Sequence, residues 1–465
     1  MRCHGNPVHV VHWRGLCTTV RRRLFILFAA PLLLCNVLSV QAGEAPPKIP
    51  EAWDTPVGVC PDDTTPVGGI SRRPITSNIV EYSWQVRVGA GARDIIGMHR
   101  VVKELAPFVP HPTAKAVLMA HGDIWGFDAA FLASLASASI PDNQALPVFL
   151  AQNNVDVWGI DFRWTLVPQE TTDFGFMEGW DIGTDLQDLD CALSIARLTR
   201  DVTGSGSGEI HLLGWSRGGM TGYAYLSAET QNPNRHVRGF IPVDIFVKTN
   251  REDLRQAACD RLDAQQARLD AGTFHDATGL LLSMIGTLAR HSAQRPLPLW
   301  QPNPPLAGLT NLQAALFLGT STFTLFQPAP PVPFYHFTGG PADDPLTLLY
   351  TQEEDWIDFL QGTAPYEPVN IFAQGEGLLC HDDLPFDDHL GGITVPVLYV
   401  GAGGGFGEFG VYTTTLLGST DVTIHLVDQR PEEQRVEDFG HADLFLADKA
   451  KNLAWKQILN WIKSH

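Results

Sequence analysis

From Val80 onward, short apolar runs alternate with stretches of helical spacing, and that rhythm permits few folds. Val80–Val88, Ile95–Val102, Ala116–Ala120, Val155–Ile160, Ile210–Gly214 and Gly239–Val243 read as strands. Between them Phe131–Ala138, Gly183–Thr199 and Met220–Ala228 read as helices, the second with Leu186, Leu189, Leu193 and Ile195 on one face. Parallel neighbours need a crossover, usually a helix, and continuously apolar strands need cover on both sides. The expected class is therefore α/β, a mostly parallel central sheet flanked by helices.

The rhythm stops near Ile245 and resumes at Val395–Val400. Arg251–Ala271 and Ala277–Ala289 read as helices in between, while Leu297–Pro305 and Gln327–Pro333 are Pro-rich connectors unfit for a central sheet. Aromatic and aliphatic runs such as Leu316-Phe317-Leu318 and Phe334-Tyr335 suit either the lining of a site or the core of the insertion itself. A strand at Val422–Val427 and a closing helix from about Leu444 to Ile462 end the chain. The expected organisation is a signal peptide at 1–42, a leading arm at 43–75, and the first part of the core at 76–244. A largely helical cap insertion at 245–392 and the second part of the core at 393–465 complete it.

Arg21-Arg22-Arg23 precede the apolar run Leu24–Val40, and Val40-Gln41-Ala42 offers small residues for cleavage. Export is expected, secreted or periplasmic, with no stable membrane span in the mature chain. The formal charge is −19, and losing the five arginines of 1–42 deepens it to −24. Such a surface repels a nucleic acid, so none is expected as partner. Cys60, Cys191, Cys259 and Cys380 survive cleavage, which permits up to two disulfides or buried free thiols. No cysteine or histidine spacing suggests a metal, and no cofactor is expected. Gly401–Gly407 lacks the lysine of a phosphate-binding loop and reads as a flexible rim.

Gly214-Trp215-Ser216-Arg217-Gly218 is a G-x-S-x-G motif, followed by Gly219. Alone the pattern is weak. Its context strengthens it, because an apolar strand enters and a helix leaves, so that a tight turn lifts the serine hydroxyl above a sheet. With these residues the chain resembles the α/β-hydrolase superfamily, serine esterase and lipase-like, over nearly all of residues 80–465. That resemblance implies Ser216 as nucleophile and, in Asp438-Phe439-Gly440-His441-Ala442-Asp443 after the last strand, His441 as general base. It implies an oxyanion hole from the backbone N–H groups of Asp123, in His121-Gly122-Asp123, and of Arg217.

The acid stays open. The family's usual place follows the strand ending at Val400, where no carboxylate stands and Glu408 comes a few residues late. Some members carry it one strand earlier, where Asp244 sits in Ile241-Pro242-Val243-Asp244. Asp244 is the first choice, since a buried carboxylate at a strand's end can fix an imidazole tautomer. Asp161, Asp185 and Asp188 read as scaffold, and Asp443 as a cap of the closing helix. The implied activity is hydrolysis of a small-molecule or lipid carboxylic ester through an acyl-enzyme. A peptidase or acyltransferase on the same residues, or a non-catalytic binding protein with this fold, are the alternatives.

Overall fold

The computed structural model describes residues 64–133, 141, 144–298 and 304–465. The expected signal peptide, residues 43–63 with Cys60, and the 134–138 end of one predicted helix lie outside the described residues. Asp54–His465 is one compact unit, and the inserted helices belong to it.

The strands are β1 (Thr65–Pro74), β2 (Ile79–Arg87), β3 (Ile95–Ala106), β4 (Val109–Pro110), β5 (Lys115–Ala120), β6 (Val155–Asp161), β7 (Ile210–Trp215), β8 (Val237–Val243), β9 (His275–Asp276), β10 (Glu367–Pro368), β11 (Val397–Ala402) and β12 (Val422–Val427). One sheet has the order β1-β2-β3-β6-β5-β7-β8-β11-β12, with β4 paired to β3. β1, β2, β3 and β6 pair antiparallel, and every pair from β6 to β12 is parallel. The central strands β7, β8 and β11 are buried along almost their whole length, which is why they read as unbroken apolar runs.

The leading arm is corrected in part, because its last stretch forms β1. That strand is mostly exposed and carries Pro66, Pro74 and a bulge between Val67 and Ser71. Proline is tolerated there because one side of an edge strand needs no ladder donors, and an exposed strand shows no apolar alternation to read.

Helices α1 (Phe127–Phe131), α2 (Leu146–Gln152), α3 (Ile182–Val202) and α4 (Arg217–Glu229) belong to the first half. The N-cap of α3 is Asp181, whose carboxylate accepts the Thr184 N–H at 2.9 Å, and Leu186, Leu189 and Leu193 are buried. The insertion holds α5 (Glu252–Asp270), α6 (Thr278–Ser292), α7 (Asn311–Thr320), α8 (Glu353–Gln361) and α9 (Val369–Cys380), with β9 paired to β10. A disulfide between Cys259 of α5 and Cys380 of α9 closes a sequence separation of 121 residues. Cys191 is disulfide-bonded too, so it is not a free thiol. After β11 come α10 (Val411–Thr414), α11 (Asp443–Leu446) and α12 (Lys456–Ser464). The single closing helix expected from Leu444 is thus two helices with a break after Leu446. No helix among the described residues is long and apolar enough to cross a membrane.

Candidate active site

At the end of β7 the chain turns sharply into α4, and Ser216 occupies the turn with φ 55° and ψ −127°. A non-glycine residue there is strained, and close packing around it explains the persistence of the turn. A Cβ on Gly214 would stand 2.2 Å from the Gly218 carbonyl oxygen, and one on Gly218 would stand 2.3 Å from that of Ala120. Only glycine lets strand and helix meet this closely. The Ser216 N–H donates to the Val243 carbonyl at 2.9 Å, tying the turn to the end of β8.

One residue further along β8 stands Asp244, fully buried, also at positive φ (50°). Its carboxylate Oδ1 accepts the N–H groups of Ala402 and Gly407, each at 2.8 Å, and Oδ2 accepts that of Phe406 at 3.1 Å. Oδ2 also lies 2.6 Å from Nδ1 of His441. The Gly-rich stretch after β11 is therefore no flexible rim. It is a cradle of backbone donors around a carboxylate supplied by the neighbouring strand. Any Cβ on Gly405 would lie 2.0 Å from Asp244 Oδ2. The side chain of Glu408 is 55% exposed and pairs with Arg435 at 3.2 Å, so the structure brings Asp244, not Glu408, to the imidazole.

His441 is buried, and its Nδ1 faces a carboxylate, which assigns the proton to Nδ1 and leaves the Nε2 lone pair free to accept. The Trp215 indole stacks on the ring with centroids 4.8 Å apart. The loop bearing His441 is clasped by the insertion: its N–H donates to the His336 carbonyl at 2.9 Å and that of Ala442 to the Phe337 carbonyl at 2.8 Å. Asp443 completes the clasp rather than capping a helix. Its carboxylate accepts the Gly339 and Gly440 N–H groups at 2.8 and 2.7 Å and the Thr351 hydroxyl at 2.5 Å, and burial pushes its pKa up to about 6.

Across from this loop, Gly122 sits against the serine, where an added Cβ would come within 2.9 Å of Ser216 Cβ. His121 is structural, its Nδ1 donating to the Gly122 carbonyl at 2.9 Å while Nε2 accepts the Phe162 N–H at 3.3 Å. Among the described residues, no hydrogen bond engages the backbone N–H of Asp123 or Arg217. The Arg217 guanidinium is committed to the Asp123 carboxylate and, at 3.0 Å, to the Ile371 carbonyl, so it is not a free cation. Glu367, buried behind this pair, escaped the sequence reading, since a lone acid within an insertion carries no local signal.

Ser216, His441, Asp123 and Arg217 line one cavity of about 190 Å³, whose wall includes the aromatic side chains Trp125, Trp215, Phe337 and Phe406. Outside it, Glu81, His99 and Asp128 stand close enough to suggest a metal site. The chemistry argues otherwise. Both His99 ring nitrogens meet carboxylates, Nδ1 with Glu81 at 2.8 Å and Nε2 with Asp161 at 2.9 Å. Burial alone would lower its pKa, yet the Asp161 and Glu81 carboxylates push it up to about 10, leaving no lone pair for an ion. Asp188 pairs in the same structural manner with Arg163, and Asp185 is buried on α3.

A strained serine between strand and helix, an imidazole after the last strand and a parallel sheet beneath them define the α/β-hydrolase fold. No protein-family model and no curated protein matches the chain. Among solved structures it is similar to a Sulfolobus solfataricus protein whose own assignment as a lipase is provisional. The TM-score is 0.58 at 19% identity, over 87% of this chain and 99% of that one. Looser likenesses are a soluble variant of monoglyceride lipase from Saccharomyces cerevisiae (TM-score 0.41, 12% identity, 86% and 96% covered) and an epoxide hydrolase from Vigna radiata (0.39, 13%, 86% and 100%). At these identities the likeness is one of fold.

Proposed function

We propose that the chain is an exported serine hydrolase that cleaves a carboxylic ester through an acyl-enzyme on Ser216. The observation that carries this reading is the Asp244–His441 hydrogen bond at 2.6 Å, with His441 and the strained Ser216 facing one cavity. His441 Nε2 takes the hydroxyl proton as Ser216 Oγ attacks the ester carbonyl, and then gives it to the departing alcohol. Asp244 holds the tautomer and stabilises the imidazolium formed in between. The N–H groups of Asp123 and Arg217 receive the negative charge on the carbonyl oxygen. Water then attacks the acyl-enzyme by the same route in reverse.

The cavity supports a compact, neutral acyl group. Its volume of about 190 Å³ compares with roughly 150 Å³ for an apolar protein cavity that takes up benzene. Arg217 and Arg261, the cations in the wall, are both already paired, the latter with Glu376 at 2.7 and 2.8 Å, so neither is spare for an anionic substrate. Export is supported by the apolar segment at 24–40 and by the Cys259–Cys380 disulfide, which suits an oxidising compartment.

The test is turnover of p-nitrophenyl esters of rising acyl length by the mature chain, with a fluorophosphonate label mapped by mass spectrometry. Short and aromatic acyl esters are expected to react fastest, with the label on Ser216 and both signals lost in Ser216→Ala. A chain that hydrolyses none of the esters and leaves Ser216 unlabelled refutes the proposal.

A further inference from the structure

Ile124 follows Asp123 and has φ 55°, a left-handed conformation that a β-branched residue avoids. Strain of this kind persists only where the surroundings over-determine it. Here the restraint comes from the insertion. The Ile124 N–H donates to Glu367 Oε2 at 3.1 Å, and the Ile124 carbonyl accepts the Ala364 N–H at 2.6 Å. Next door, Trp125 bridges to Thr363, and its indole N–H donates to the Phe359 carbonyl at 2.9 Å. Glu367 is fully buried, and its other oxygen makes no hydrogen bond and lies 3.8 Å from Arg217 Nε. Burial first, and the Asp123 charge second, raise its pKa well above the usual carboxylate range.

We infer that Glu367 is a positioning residue for the oxyanion hole: by gripping the strained Ile124 peptide from the insertion, it aims the Asp123 N–H at the carbonyl oxygen under attack. The inference rests on the acyl-enzyme reading above. A carboxyl group in this place has two ways to act, by reach to Ile124 or by its acid–base state beside Asp123 and Arg217, and two substitutions part them. Glu367→Gln keeps the reach and an acceptor oxygen but removes the ionisable carboxyl. Glu367→Asp keeps an ionisable carboxyl and withdraws it by one methylene.

The experiment measures kcat and KM on a short p-nitrophenyl ester, and affinity for an arylboronic acid whose tetrahedral adduct places an oxygen in the hole. Glu367→Gln is expected to stay within about threefold of wild type, and Glu367→Asp to lose at least about tenfold in kcat and in boronate affinity with KM little changed. Glu367→Asp at wild-type kcat overturns the inference, and so does Glu367→Gln losing as much as Glu367→Asp, which would make the ionisable group and not its reach the cause. A loss confined to KM overturns it as well. Glycine adopts φ 55° freely, so in an Ile124→Gly background the penalty of Glu367→Asp should shrink to below about threefold. A penalty of about tenfold or more there, measured against Ile124→Gly itself, overturns the positioning role even if Glu367→Asp alone does not fold. A wild-type chain inert to every ester, with Ser216 unlabelled, instead refutes the parent proposal.

Discussion

Replacing Asp244 by Asn keeps the shape of the carboxylate and inverts half of its hydrogen bonding. Oδ1 accepts two backbone N–H groups, from Ala402 and Gly407, so the amide oxygen of Asn keeps that side. The amide NH2 then takes the place of Oδ2, where it meets two donors, the Phe406 N–H and the His441 Nδ1–H. The cheapest relief is for His441 to move its proton to Nε2 and accept at Nδ1. That rescues one bond but destroys the base, because Nε2 can no longer take the Ser216 proton. A tautomer locked the wrong way lowers turnover by about 10⁴-fold. The Phe406 N–H stays buried without an acceptor, which costs about 1–3 kcal/mol of stability. Ester kinetics read the first effect and equilibrium unfolding in urea the second, with Glu408→Gln run alongside and expected to match wild type. Asp244→Asn turning over esters within about tenfold of wild type, with Glu408→Gln the crippled variant, would refute the assignment of the acid.

Three further expectations follow from the same contacts. His99 has a folded pKa near 10 against 6.5 in the open chain, so its stabilisation is complete below pH 6.5 and is lost as the pH rises through 10. Urea unfolding across that window should lose up to about 1.4 kcal/mol per pH unit in wild type and distinctly less in His99→Gln, and equal slopes would contradict the ion-pair account. Gly405→Ala drives a methyl into Asp244 Oδ2 and should cost about 100-fold in kcat by displacing the acid. Gly391→Ala, whose Cβ has only an oxygen at 3.9 Å near it, serves as the neutral control, and equal kinetics in the two variants would count against the cradle. Removing the Cys259–Cys380 link by a double serine substitution should cost about 4–5 kcal/mol for so long a loop, and a loss below about 1 kcal/mol in urea would mean that the link hardly constrains the unfolded chain.

Legibility in the sequence follows burial and locality. The central strands could be read because both of their faces are covered, which leaves unbroken apolar runs, whereas β1 could not because its exposed edge carries no pattern. Ser216 announces itself within five residues, since the constraint that makes glycine necessary on either side acts across a single turn. Within the insertion, α7 is apolar nearly all round and so shows no amphipathic stripe, while Gly375 and Gly377 lower the helix propensity of α9. Packing decides both, and in α9 the disulfide adds to it.

Asp244 was harder to single out for a reason of a different kind. What makes it serviceable is the fan of N–H groups from Ala402, Phe406 and Gly407, which register between β8 and β11 brings beside it. Backbone donors are common to every residue except proline, so a cradle built from them leaves only a trace in composition, a run of glycines open to several readings. The same holds for the clasp of His336 and Phe337 carbonyls on the His441 loop, and for the grip of Ala364 on Ile124. Both sides of the cavity are thus held by main-chain contacts from the inserted segment. An insertion bonded in this way is part of the frame of the site, and truncating it would misplace the loops bearing His441 and Asp123-Ile124 together rather than merely uncover them.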